Sequence, residues 1–125
     1  MLAQMAPRLD PVLYCFMLIS PDNAPQALGA AIGTFREDEG VTAIVPEPAA
    51  RELGADGPAM ARITLTVHSS LEGVGLTAAV AGVLAGNDIA CNMVAAFHHD
   101  HVFVPAIDGD RALGLLEQLS QAARR

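Results

Sequence analysis

Two segments of the sequence combine residue types that could bind a small molecule. The first reads HSSLEGVGLT at residues 68–77, and the second reads HHDH at residues 98–101. The first segment lies between a strand pattern and a helix pattern, so it would leave free backbone N–H groups at a helix start. Those groups and the helix dipole favour a carboxylate or another anion. We therefore predict that both segments face one small-molecule site.

The chemistry of these segments suits an amino acid. A zwitterionic amino acid needs hydrogen-bond donors for its carboxylate and acceptors for its ammonium group. The free N–H groups of a helix start supply the donors, and a carboxylate such as Glu72 or Asp100 supplies the acceptor through charge-assisted hydrogen bonds. The sequence favours an amino acid as the ligand without specifying which one.

Simpler roles for the same residues stay open. The segment 69–77 could be only a tight strand-to-helix turn whose glycines allow close packing. Glu72 could be an acid near a helix start, where it contributes about 0.3–1 kcal/mol. Asp100 could be a hairpin-turn residue, since Asp tolerates such positions.

The histidines raise the question of a metal site. Consecutive strand residues point to opposite faces, so His98, His99 and His101 cannot all converge without a bulge. No Cys or His pair elsewhere in the sequence has the spacing of a structural zinc site. The pattern favours turn histidines exposed to solvent, and we expect neither a metal nor a cofactor.

A catalytic triad is the other alternative for this cluster. It would combine His68 with Ser69 or Ser70 and with Asp100. Adjacent residues on a strand point apart, and no nucleophile-elbow pattern surrounds the serines. The sequence therefore favours a binding protein over an enzyme.

Composition limits the class of protein. The chain has 125 residues, of which 52% are apolar and 17% charged, and its formal net charge is −7. This composition is globular, and the high apolar fraction suggests a surface shared with a partner subunit. No basic stripe marks a nucleic-acid binder, and no apolar run approaches the roughly 18 residues of a membrane span. We expect a cytoplasmic protein that binds neither nucleic acid nor membrane, with Cys15 and Cys91 as buried thiols in strands.

The second half of the chain predicts the order β-α-β-β-α. Apolar and polar residues alternate in the first strand, and the next segment has an apolar stripe at helical spacing. Two strands joined across His98-His99-Asp100 follow, and Asp108 or Asp110 can cap a last helix. The predicted elements are a strand at 62–67, a helix at 76–84, strands at 89–97 and 101–104, and a helix that ends near residue 124.

The first half of the chain predicts a similar unit, but its sequence patterns are weaker. Residues 1–11 predict a loose arm, and residues 12–19 predict a strand that is apolar on both faces. A weak segment at 27–33 precedes a hairpin whose second strand is 41–45. A short helix at 48–54 begins with Pro and ends at Gly.

These elements predict an α+β fold of two tandem ferredoxin-like units, residues 1–60 and 61–125, with antiparallel sheets and helices packed on one face. The second unit ends before it can supply its own last strand. An open apolar edge is an aggregation hazard. The best donor of the missing strand is therefore the segment 12–19.

The second half also resembles a known family. The residues that carry the resemblance are ITLTVHSS at 63–70, EGVGLT at 72–77, DIACN at 88–92 and DHVFVP at 100–105. They resemble an ACT-domain protein, and more narrowly the small bacterial proteins with two tandem ACT-like units. The second unit is also similar to the regulatory ACT pair of aspartokinases and to the eukaryotic arginine sensor of the TORC1 pathway. The resemblance is strong over 62–119 and weak over 12–54.

The resemblance implies an amino-acid site formed by the loop after the first strand and the start of the first helix. Backbone groups of this loop would meet the ligand's carboxylate, two acids would meet its ammonium group or a basic side chain, and two apolar residues would form the wall. The backbone groups are those of Gly73, Val74, Gly75 and Leu76. The two acids are Glu72 and Asp100, and the wall residues are Ala96 and Phe97. His98 and His99 stand where family members vary, which leaves ligand size and polarity open.

Two functions follow from these observations. The first is an amino-acid-binding regulatory or sensor module, and the second is an interaction or assembly module whose pocket is vestigial. We expect a homo-oligomer in either case, most simply a two-fold dimer. Only the first function predicts that an amino acid raises the melting temperature of the protein.

Overall fold

The computed structural model describes residues 2–66 and 75–123. The described part of the chain is mixed α+β, and its strands follow the hydrogen-bonded order β2-β3-β1-β4-β6-β5. In chain order the elements are a 3₁₀ turn Leu2–Gln4, β1 Pro7–Leu18, α1 Ala24–Ala30, β2 Gly33–Glu37, β3 Gly40–Pro46, α2 Glu47–Glu52, β4 Met60–Leu65, α3 Leu76–Gly86, β5 Asn92–Ala95, β6 Asp100–Pro105, a 3₁₀ turn Ala106–Asp108 and α4 Gly109–Ala123.

The chain divides into two compact units. Unit I is Val12–Met60, and unit II combines the N-terminal residues up to Pro11 with the chain from Ala61 onward. Unit II contains α3 and α4 together with the first half of β1, β4, β6 and β5. The predicted β-α-β-β-α order is therefore confirmed, and the fold is the expected ferredoxin-like α+β arrangement.

The last strand of unit II comes from a different segment than the sequence suggested. The prediction of a loose arm at residues 1–11 is wrong, because β1 begins at Pro7 and its first five residues belong to unit II. Met5 is fully buried, and its carbonyl accepts a hydrogen bond from the Thr66 backbone N–H at 3.1 Å. The residues predicted as the donor, 12–19, instead belong to unit I.

The prolines of β1 explain why the sequence did not predict a strand before residue 12. Pro7 and Pro11 lack a backbone N–H group, so they argue against a central strand. They are tolerated where a strand lies at the edge of its sheet, and the first half of β1 is the outer strand of unit II. Polar and apolar residues nevertheless alternate at Arg8, Leu9 and Asp10, as expected for a strand.

The core of unit II follows the alternation of β4 and the apolar stripes of its helices. Every second residue of β4 is buried: Ala61, Ile63 and Leu65. The buried helix residues are Leu76, Val80 and Leu84 on α3, and Ala112 and Leu116 on α4. β5 and β6 form an antiparallel hairpin whose register runs from Asn92↔Phe103 to Ala95↔Asp100. The apolar stripe predicted for the first helix is thus the face that α3 buries, and α4 likewise buries an apolar face.

Unit I contains the second half of β1, the β2–β3 hairpin, α1 and α2. The predicted hairpin is confirmed, with a register from Gly33↔Ile44 to Glu37↔Gly40. Residues 27–33, which gave only a weak pattern in the sequence, form the later part of α1 and the start of β2. The core of the unit consists of Cys15, Met17, Ala43, Val45 and Ala50.

The two cysteines differ from each other. Cys15 is buried in β1, and burial raises the pKa of its thiol. Cys91 is half-buried and precedes β5, so the prediction of a buried strand thiol holds only for Cys15. Both are free.

Candidate functional site

One end of unit II brings together three segments that are distant in sequence. Thr64 Oγ1 lies 3.0 Å from His101 Nδ1, which places the end of β4 beside the start of β6. Thr66 bonds to the chain just before β1: its N–H donates to the Met5 carbonyl and its hydroxyl donates to the Ala6 carbonyl at 2.8 Å. The end of β4, the start of β1 and the β5–β6 hairpin therefore share this end of the unit.

Asp100 is a buried carboxylate at this end. It opens β6 opposite Ala95 and is only 7% exposed. Strand alternation puts Asp100 on the same face as the fully buried Val102, whereas His101 points to the opposite face toward Thr64. A buried carboxylate that is ionised needs hydrogen-bond donors or a positive charge nearby.

The predicted helix-start site is described only from Gly75 onward. Glu72, Gly73 and Val74 lie outside the described residues, as does the serine pair of the alternative triad. Gly75 precedes α3 with φ +100°, a conformation that favours glycine. Leu76 is 3% exposed, so its side chain packs into the core of unit II and only its backbone is available to a ligand.

The two predicted wall residues lie in the turn between β5 and β6. The N–H of Ala96 donates to the His99 carbonyl at 3.0 Å, which closes this turn. Phe97 is 82% exposed, and its ring meets His98 edge-on at a centroid distance of 4.9 Å. Phe97 thus presents an apolar surface to solvent beside the buried Asp100.

The histidines do not converge. The rings of His98 and His99 lie 6.3 Å apart, while His101 points to Thr64 on the face opposite Asp100. Within residues 2–66 and 75–123, no group of His, Cys, Asp and Glu side chains could hold a metal ion. Burial lowers the pKa of His101, and the charges of Arg62 and His99 act in the same direction.

Sequence reasoning missed a cavity of about 560 Å³ at the same end of unit II. Its wall combines the start of β1, the residue after β4 and the polar face of α4. The lining residues are Ala6, Pro7, Arg8, Thr66, Glu117, Ser120 and Gln121. The sequence offered one signal, the polar residues at i, i+3 and i+4 on α4, which an amphipathic helix normally turns toward solvent.

A smaller cavity of about 210 Å³ adjoins it through Arg8. Arg62 and Asp10 line this second cavity and form an ion pair at 2.7 Å. Their side chains are 24% and 16% exposed, so solvent screens this pair less than a surface pair. The polar face of β1 and β4 is thereby fixed beside Arg8.

None of the helices in the described part of the chain has the length and apolar character needed to span a membrane.

Comparison with solved structures reveals a relative over nearly the whole chain. A Vibrio cholerae protein of unknown function, described as a possible transport protein, is 38% identical with a TM-score of 0.81, and the match covers 92% of this chain and 90% of that one. No curated protein matches the sequence.

Two more distant structures share the fold. The ligand-free regulatory subunit of aspartate kinase from Thermus thermophilus is 15% identical with a TM-score of 0.68, and the match covers 94% of this chain and 97% of that chain. Escherichia coli aspartokinase III in complex with aspartate and ADP is 17% identical with a TM-score of 0.55, and the match covers 91% of this chain but 32% of that chain.

Two family models described as ACT domain match the chain in tandem, one over residues 1–62 and the other over residues 62–118. The β-α-β-β-α order of unit II and the aspartokinase regulatory structures agree with these matches. The chain therefore belongs to the ACT-domain family, whose members are regulatory, ligand-binding modules, and it carries two such domains in tandem.

Proposed function

We propose that this protein is an amino-acid-binding regulatory module without catalytic activity of its own. The observation that carries the proposal is the buried carboxylate of Asp100 at the end of unit II where β4 also ends. A carboxylate that folding removes from water can bind a ligand's ammonium group strongly, because the surroundings screen the charges less than water does. Asp100 has the burial and the charge for that role.

The ligand would lie between the segment 72–76 and the hairpin that carries Asp100. Its carboxylate would accept hydrogen bonds from backbone N–H groups of Gly73 to Leu76, where α3 begins. Asp100 would hold the ammonium group, with Glu72 assisting or facing a polar ligand side chain. Ala96 and Phe97 would shield the apolar part of the ligand from water.

A thermal-shift screen over the twenty amino acids tests this function, followed by calorimetric titration of the best ligand. Truncating one partner of a buried charged pair costs about 2–5 kcal/mol, largely because the other charge is left unpaired. Asp100→Ala should therefore weaken the ligand about 30-fold or more, since each ~1.4 kcal/mol is tenfold. Asp56→Ala, which removes an exposed carboxylate in unit I, is the matched control. Equal affinities for the wild type and Asp100→Ala would remove Asp100 from the site.

The second candidate function is an assembly module, and the free edge of β2 favours it. β2 is the outer strand in the sheet order, and Phe35 at its centre is 71% exposed. The hairpin closes at Glu37↔Gly40 across two residues, so bonded pairs fall at every second position from there. The backbone N–H and C=O groups of Thr34 and Arg36 consequently point away from β3.

This edge is self-complementary. A two-fold axis at Phe35 would pair Thr34 of one copy with Arg36 of the other, and Glu37 with Gly33, so no like charges would meet. The two Phe35 rings would face each other as a cross-strand aromatic pair. Under this function the protein forms a stable dimer, and none of the twenty amino acids changes its melting temperature.

A further inference from the structure

The cavity between the start of β1 and α4 is lined by two opposite charges that are not paired with each other. Arg8 and Glu117 both line it, and the two side chains do not form an ion pair. Neither side chain bonds to any other residue in the described part of the chain. Both are exposed, so both can reorient toward a ligand.

Arg8 and Arg36 differ from the other arginines in the described part of the chain in this respect, and of these two Arg8 lines the cavity. Arg51 bonds to Glu47 at 3.0 Å, Arg62 to Asp10 at 2.7 Å, and Arg111 to the Asn87 carbonyl at 2.6 Å. These three guanidinium groups already bind other residues of the protein. Arg8 instead lines the two cavities described above, and its planar donor group can meet a carboxylate there.

The rest of the wall combines polar side chains of α4 with a backbone segment that hydrogen bonds hold in place. Ser120 is 2% exposed and lines the cavity, and Gln121 adds an amide beside it. Ala6 has φ +43°, a conformation uncommon for a residue other than glycine. The two hydrogen bonds from Thr66 to the carbonyls of Met5 and Ala6 hold the chain there. Strained backbone that the surrounding contacts fix in this way is frequent at binding sites.

We propose that this cavity is a binding site for a small zwitterion, an α-amino acid, whose carboxylate meets Arg8 and whose ammonium group meets Glu117. The volume of about 560 Å³ lies within the range of small-molecule sites. Ser120, Gln121 and Thr66 supply hydrogen-bond partners that favour a polar ligand side chain. The inference rests on the proposed function for its ligand class, but it assigns a site distinct from the one that contains Asp100.

Calorimetric titration of the full chain separates the two sites. The probes are the twenty amino acids in a thermal-shift screen, and then the best of them together with its N-acetyl and its amide derivatives. Arg8→Gln and Glu117→Gln should each weaken binding of the best amino acid at the cavity at least tenfold, while Asp100→Ala leaves binding at the cavity unchanged. Both derivatives should bind the wild type at least tenfold more weakly, because each lacks one of the two charges.

Matched controls are Arg36→Gln and Glu52→Gln, which remove exposed charges of the same kinds in unit I and should leave the affinity unchanged. Because Arg8 and Glu117 are exposed, salt should also weaken binding. Binding that Asp100→Ala abolishes but Arg8→Gln and Glu117→Gln leave intact would overturn this inference and keep the proposed function. No binding of any amino acid by the wild type would overturn both.

Discussion

Asp100 and His101 are consecutive in β6, but their side chains point to opposite faces of the strand and have different surroundings. Asp100 lies on the same face of the strand as Val102, and His101 lies on the opposite face, where it meets Thr64. A sequence cluster of acid and histidine residues therefore does not form one centre. The proposal assigns Asp100 to a ligand's positive charge, while we expect His101 to contribute to the pH dependence of stability.

The environment of His101 predicts how stability changes with pH. Burial lowers its pKa in the folded protein, as do the charges of Arg62 and His99, against a weaker opposite effect of Asp100. The unfolded chain, with a His pKa of about 6.5, then binds the proton first as the pH falls. The stability that His101 contributes is present above that pH and is lost as the pH falls through the lowered value of the folded state.

Denaturant unfolding of the wild type and His101→Gln between pH 8 and pH 5 checks this expectation. The wild type should lose more free energy of unfolding over this range than His101→Gln does. His98→Gln, which replaces an exposed histidine in the adjacent turn, is the control and should behave like the wild type. A His101→Gln protein with the full pH dependence of the wild type would contradict the prediction.

At the scale of elements, β1 serves both units. Its residues Pro7–Pro11 complete the sheet of unit II, and its later residues pair with β3 in unit I, from Tyr14↔Pro46 to Leu18↔Thr42. The 3₁₀ turn before it packs against α4, and Met5 is fully buried between turn and strand. The start of the chain is thus part of the core of unit II.

This arrangement predicts that Met5→Ala destabilises the protein. Truncating a fully buried Met leaves a cavity and costs about 2–5 kcal/mol. Urea unfolding followed by circular dichroism should show a lower midpoint with an unchanged slope. Gln4→Ala, one residue earlier and exposed, should change the midpoint little. A Met5→Ala protein as stable as Gln4→Ala would show that the N-terminal segment is not docked in solution.

At the scale of the whole molecule, the apolar composition and the free edge of β2 favour self-association. Several large apolar side chains are exposed, among them Phe35 at the centre of β2 and Ile107 in the turn before α4. The two differ in backbone context, because only Phe35 lies on an edge strand with outward-pointing N–H and C=O groups. Edge strands of this kind pair readily with a second copy.

We therefore expect a homodimer that forms through β2. Sedimentation at micromolar concentration should give about twice the 13.0 kDa mass of the chain. Phe35→Asp should shift the protein to the monomer, since like charges would then face each other across the two-fold axis. Ile107→Asp removes an even more exposed apolar side chain and should remain dimeric. A wild-type mass near that of one chain, or a dimeric Phe35→Asp protein, would be incompatible with pairing through β2.

The sequence by itself determined the order of the elements from β4 to α4. The alternation in β4 and the stripe of α3 from Leu76 to Leu84 are local periodicities, and each directs one face of an element to the core. The family resemblance followed from the same stretches. The β2–β3 hairpin was predictable for a similar reason, because a polar tip with Gly40 separates two strand patterns.

Only the tertiary structure decided where the start of the chain lies and which residues line the cavity. Pro7 and Pro11 obscure the strand period, so the pairing of this segment depends on the edge that unit II leaves open. Arg8, Thr66 and Glu117 belong to three elements distant in sequence, and no local pattern relates them. Burial of Asp100 likewise depends on what packs over its face of the sheet, which periodicity alone does not specify.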